Sequence, residues 1–133
     1  MPGSPAARLG DKVVGTDYHF VQFQTPAGPL IQCLPFVFQA GLAGGCCPTV
    51  RIGGKPAATK DTSATISPPH VPPPSAIFPK PPQNSGTVLM GSVTVRIGGK
   101  PAARVGDTVL TCSDPVPAPN GKIVAGHQSV RIG

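Results

Sequence analysis

The sequence predicts an all-β fold made of three β-hairpin repeats closed about an axis. Three observations carry that expectation. The stretch VRIGGKPAA occurs twice, at Val50 to Ala58 and at Val95 to Ala103. The N-terminal part supplies the ending of the same motif, Pro5-Ala-Ala-Arg8, and the C-terminal part supplies its beginning, Val130-Arg-Ile-Gly133, so that a third copy is divided between the two ends. Finally, 17 Gly and 19 Pro make up over a quarter of the 133 residues, there is no Trp, and aromatics are 5%, a composition that works against helix.

Within each motif the local physics is that of a hairpin. Val-Arg-Ile alternates inward and outward as a strand does, Gly-Gly permits the positive φ of a tight turn, and Pro-Ala-Ala resumes an extended chain. If Val130 to Gly133 pairs beside Pro5 to Arg8, the third hairpin is rebuilt and the ends meet. An open stack with dedicated caps would have no use for a divided repeat. Closure also leaves few exposed strand edges. The copies start at Val50, Val95 and Val130, so the connecting loops differ in length. They are Pro-rich, most of all Pro68 to Pro82 (PPHVPPPSAIFPKPP), which stiffens them. Residues 1–133 are expected to form a single domain.

Composition narrows the function classes. Hydrophobic residues at 39% and charged residues at 12% reverse the signature of disordered chains. The net charge of +6 comes from 11 Lys and Arg against five acidic residues, all Asp. These cations stand singly within the repeats and are not interleaved with aromatics, so a solvated surface or an acidic protein partner is expected and nucleic acid is not. With no Glu, no Gly-x-Ser-x-Gly, no phosphate loop and Asp mostly in repeat turns, no enzyme is expected. The N-terminal stretch MPGSPAARLGD lacks a secretory core, and the longest apolar stretch, Cys33 to Cys47, is interrupted by Pro and Gly. A soluble chain made in the cytoplasm without a signal peptide is expected, its four Cys serving as thiols or metal ligands. The alternative function is a generic zinc-binding interaction module or a nucleic-acid-binding module.

Pro-Ala-Ala-Arg at Pro5 to Arg8 and at Pro101 to Arg104, each followed by x-Gly-Asp, resembles the signature of the PAAR-repeat proteins. Further likeness lies in Gly15-Thr-Asp-Tyr-His19, Pro26 to Pro29, Ser67-Pro-Pro-His70, Lys80-Pro-Pro82 and Thr111-Cys-Ser-Asp-Pro115. The second repeat departs from the pattern, with Thr59-Lys60-Asp61 in the place of Arg-x-Gly-Asp, and the Arg and Asp of the motif are taken as structural. The resemblance implies a cone-shaped fold of three pseudo-threefold repeats whose base sits on a trimeric spike protein (VgrG-like or gp5-like) of a contractile injection system. It also implies a structural zinc ion at the apex, transient contact with a target membrane, and delivery outside the cell or into a target cell on firing. Some relatives carry fused toxin domains; here the motif runs to Gly133, and no effector domain is expected.

Zinc takes four ligands in a closed structural site. His19 lies eleven residues after Arg8 and His70 eleven after Thr59, so the two occupy matching places in successive repeats. In the third repeat the loop has no His, and Cys112, eight residues after Arg104, is its soft ligand. His19, His70 and Cys112 are the predicted metal ligands. The fourth place is open, with Cys33 favoured over His127. His127, just before the strand Val-Arg-Ile, holds the same repeat position as Ser92 and Cys47. The vicinal Cys46 and Cys47 are expected to be small apolar filling.

Overall fold

The computed structural model describes residues 3–114 and 116–133; Pro115, which ends one of the quoted motifs, and Met1 and Pro2 lie outside the described residues. The strands are β1 (Ser4–Ala6), β2 (Lys12–Thr25), β3 (Gly28–Gly44), β4 (Cys47–Ile52), β5 (Lys55–Ala57), β6 (Ser63–Ile66) and β7 (Ala76–Ile77). They continue as β8 (Ser85–Val88), β9 (Arg96–Ile97), β10 (Lys100–Pro101), β11 (Thr108–Thr111), β12 (Ala118–Ile123) and β13 (His127–Ile132). No helix occurs among the described residues.

The motifs form three short hairpins. β4 pairs with β5 and β9 with β10 across the turns Gly53-Gly54 and Gly98-Gly99, where φ is 59° and 84° in one and 60° and 83° in the other. Only Gly adopts two such angles in succession without strain. The third hairpin joins the ends, with β1 antiparallel to β13 and Ser4 opposite Ile132.

After each hairpin the Pro-Ala-Ala segment crosses the axis, and the three segments are laced into a ring. Ala7 N–H donates to the Ala103 carbonyl, Ala103 N–H to that of Ala58, and Ala58 N–H to that of Ala7, each at 3.0 Å. All six Ala of these segments are buried without measurable exposure. Backbones this close to an axis leave room for a methyl group and little else, which is the packing reason for Ala-Ala. The turn that follows is closed by the motif's own side chain: Arg8 N–H donates to Asp11 Oδ2 and Arg104 N–H to Asp107 Oδ2, both at 2.7 Å. In the divergent second repeat Thr62 Oγ1 accepts from Thr59 N–H at 3.0 Å, and Asp61 takes the place of Gly at φ 74°. A hydroxyl thus replaces the carboxylate with the turn preserved.

Beyond the ring, each repeat contributes one larger strand pair, β2–β3, β6–β8 or β11–β12. Sheet order β12-β11-β8-β6-β3-β2, with β12 also paired to β2, closes these six strands into a small antiparallel barrel. Val13, Phe38, Leu42, Ala64, Val88, Val109 and Ile123 fill it. Phe38 reaches across to Gly86, where any Cβ would stand 2.7 Å from its ring. A second, smaller cluster beneath the ring is itself threefold, made of Ile52, Ile97 and Ile132 with Ala6, Ala57 and Ala102. Val50 and Val130, at the start of their motifs, are both 36% exposed.

The hairpin β2–β3 is far longer than its counterparts. Its pairing runs unbroken from Lys12 opposite Gly41 to Thr25 opposite Gly28, whereas β12 leaves β2 at Gly15 and β6 leaves β3 at Ala40. The remainder projects as a two-stranded ribbon, joined on one side by β7. The Pro-rich segment between β6 and β8 folds against this ribbon and brings His70 to it.

Candidate metal centre

Alternation along β2 puts Asp17, His19 and Val21 on the inner face of the ribbon, and all three are fully buried. The register sets Asp17 opposite Phe36 and His19 opposite Leu34, so these share that face. His70 arrives from the Pro-rich segment, its backbone N–H held by Asn84 Oδ1 at 3.0 Å. Cys112 follows the end of β11 and is 7% exposed.

The four side chains converge. Asp17 Oδ2 lies 2.9 Å from His19 Nε2, 2.9 Å from His70 Nε2 and 3.2 Å from Cys112 Sγ. Cys112 Sγ is 3.7 Å from His19 Nε2, and one ligand atom from each residue falls within 4.8 Å of all the others. Equal spacing from the repeat motif does not mean equal structure: His19 is still within strand β2, whereas His70 lies beyond the end of β6.

Electrostatics makes this group incomplete by itself. Asp17 Oδ1 is buried with no hydrogen-bond partner, and a buried carboxylate left so is costly. His19 is flanked by two carboxylates, with Asp17 at Nε2 and Asp114 Oδ2 at Nδ1, 3.2 Å away. A neutral imidazole has one N–H and can serve only one of them. With Nδ1–H given to Asp114, Nε2 turns a lone pair toward the other three ligand atoms. A cation among them would satisfy that lone pair, the sulfur and the charge of the buried Asp17 carboxylate together. Burial, then the contact with Asp17, pushes the Cys112 thiol up to about 11, so it holds its proton until a cation displaces it.

An apolar wall surrounds the group. Phe36 lies 5.1 Å from the His70 ring and 5.6 Å from the His19 ring, centroid to centroid, and Phe78 packs on Phe36 at 5.5 Å. Lys80 Nζ approaches Asp114 Oδ1 at 3.6 Å and balances that outer carboxylate. This end of the molecule is therefore packed with aromatic rings.

Both candidates for the fourth place are elsewhere. Cys33 does not follow a loop that could fold back; it stands within β3, opposite Phe20, on the exposed face of the ribbon. The one-residue offset from Leu34 turns its thiol away from His19. His127 lies in the base, where its Nδ1 is 3.3 Å from Arg8 Nη1. The fourth ligand atom of the group comes instead from Asp17, which is not among the ligands expected from sequence. Its two-residue spacing from His19 on a strand was the signal that could have found it.

Fold and centre together define a class: an all-β protein of three repeats closed about an axis, with a buried group of Asp, two His and Cys that could hold a metal ion. The family model of the PAAR motif matches residues 80–133, which include the second complete motif and its continuation. With the same motif standing at Val50 to Ala58, the match supports a PAAR-repeat protein, and that motif points to a spike-tip role in contractile injection systems. No curated protein matches the chain.

Proposed function

We propose that this protein caps the trimeric, VgrG-like spike of a contractile injection system, with the three motif hairpins against the spike and the ribbon at the leading end. The observation that carries this reading is the ring formed by Ala7, Ala58 and Ala103, which gives one chain three near-equivalent faces. A single copy can then meet all three chains of a trimer alike. Its work is mechanical. The cap closes the open strand ends of the spike and concentrates the force of contraction on a small area of membrane, and it travels on the particle until firing.

In this reading Asp17, His19, His70 and Cys112 hold a structural zinc ion. Two nitrogens, one sulfur and one oxygen suit zinc, whose tetrahedral site has edges of about 3.3–3.8 Å, within the spread of separations seen here. The ion would cross-link β2, the Pro-rich segment and the end of β11, adding folding free energy where the barrel core has ended. Asp114 would fix the His19 tautomer, and Phe36 and Phe78 would exclude water.

The stoichiometry of the complex tests the cap. Light scattering of the purified protein mixed with the trimeric spike protein of the same genome is expected to give one chain per trimer. Three chains per trimer, or no complex, would refute the reading.

A further inference from the structure

Arg51, Arg96 and Arg131 occupy the same position in the three hairpins, and all three are exposed. Each is fastened in the same way: Nη1 donates to the carbonyl of Gly54, Gly99 or Gly3, at 3.0 Å in every case. The third of these bonds spans the junction between the two ends of the chain and so reproduces the other two. Arg131 also donates through Nη2 to Gln128 Oε1 at 3.4 Å, yet each guanidinium keeps further donors for another group, and it has already lost much of the rotamer freedom that binding would remove.

No counter-charge answers these arginines. Segments 47–57, 92–102 and 127–133 contain no acidic residue, and Lys55 and Lys100 add exposed charge on two of the hairpins. The five Asp are engaged elsewhere. Asp11 and Asp107 bind Arg8 and Arg104, Asp61 lies by Lys60, and Asp17 and Asp114 belong to the candidate metal centre. No ion pair reaches Arg51, Arg96 or Arg131 among the described residues. Beside the arginines each hairpin shows a hydroxyl and a Val, namely Thr49-Val50, Thr94-Val95 and Ser129-Val130, over the Ile52, Ile97 and Ile132 plug. These segments carry no Phe, Tyr or Trp on which a base could stack.

We propose that Arg51, Arg96 and Arg131 form a threefold docking set for carboxylates presented in threefold symmetry at the end of a trimeric acidic protein. The proposal rests on the cap reading above and names the chemistry of the surface that the cap meets. An asymmetric partner would engage one arginine at a time. A trimer engages all three at once, and each contact raises the effective concentration for the next.

The test is a binding titration of the full-length protein against the trimeric spike protein of the same genome, at low and at moderate salt. Wild type is compared with R51E, R96E, R131E, the triple Glu variant and the triple Lys variant. Each single reversal is expected to weaken binding about tenfold, the triple reversal by more than about a hundredfold, and the triple Lys variant far less. Wild-type affinity should fall steeply with salt, and that of the triple Glu variant should not. The substituted side chains are exposed, so metal content and melting temperature should be unchanged; should the triple variant fail to fold, the single variants carry the test. A triple Glu variant that binds like wild type overturns the docking set and leaves the cap reading standing. Failure of wild type to bind the spike overturns both. Tighter binding to a 20-base-pair DNA duplex, lost in the same variants, overturns the assignment to an acidic protein.

Discussion

Asp17 and His19 stand two apart on one strand, and that spacing lets a single ribbon face supply half of the candidate centre. Elemental analysis of the purified protein should show one zinc per chain, and Asp17→Ala, His19→Ala, His70→Ala or Cys112→Ser should each bring this close to zero. Zinc retained in all four variants would place the ion elsewhere. Asp114→Ala, which removes the contacts with His19 and Lys80 but none of the four converging groups, should weaken zinc binding by about 10–100-fold without abolishing it, as measured by competition with a chelator. The thiol adds a pH dependence. In the metal-free protein Cys112 is raised from 9.0 to about 11, so between those values the unfolded chain has released a proton that the folded chain keeps. Stability of the metal-free protein should therefore fall as pH rises from 9 to 11. Burial raises Cys46 as well and acts in the same sense, whereas Cys47, held lower by its contacts with Thr49, acts the other way. With zinc bound the Cys112 contribution should vanish from a denaturation series over this range. That His19, His70 and Cys112 converge was legible from their places after successive copies of the motif. Asp17 was not, because a search for soft ligands passes over a carboxylate.

The hairpin turns were readable from Val-Arg-Ile-Gly-Gly, in which strand alternation and positive φ are both local properties. The ribbon was not. Residues 20–44 contain Pro and Gly within an apolar run, which reads as loop, and only the long-range register from Lys12 with Gly41 to Thr25 with Gly28 makes them strand. A strand cannot be deduced from propensity alone when its partner is what orders it. The Ala ring is fully buried and closely laced, and it gives a further prediction. Ala58→Val adds two methyl groups where the backbones of Ala7 and Ala103 already touch, and should destabilise the fold by about 1–3 kcal/mol in urea denaturation. Val50→Ala, on the partly exposed rim, should cost far less. Equal losses at the two sites would mean that the ring is not the point of closest packing.

Charge is distributed along the whole molecule with the same polarity as the architecture. The hairpin end carries Arg51, Arg96, Arg131, Lys55 and Lys100 with no acidic residue of its own, whereas positions 18–50 contain no Asp, Glu, Lys or Arg. The ribbon built from those positions shows Leu30, Ile31 and Val37 to solvent, at 46%, 55% and 72% exposure. One end is thus suited to a charged protein surface and the other to an apolar one. Closure of the repeats was predictable at this scale because the divided motif requires it, and the pairing of β1 with β13 achieves it. The polarity was hidden, since the net charge of +6 is silent about where the charges gather. Electron cryo-microscopy of the protein mixed with the trimeric spike proposed as its partner reads the orientation of the cap directly. One chain is expected on the threefold axis, with the Gly53-Gly54 and Gly98-Gly99 hairpins facing the spike and the turn at Pro26-Ala27 pointing away. Density with the ribbon against the spike, or with the protein off the axis, would contradict it.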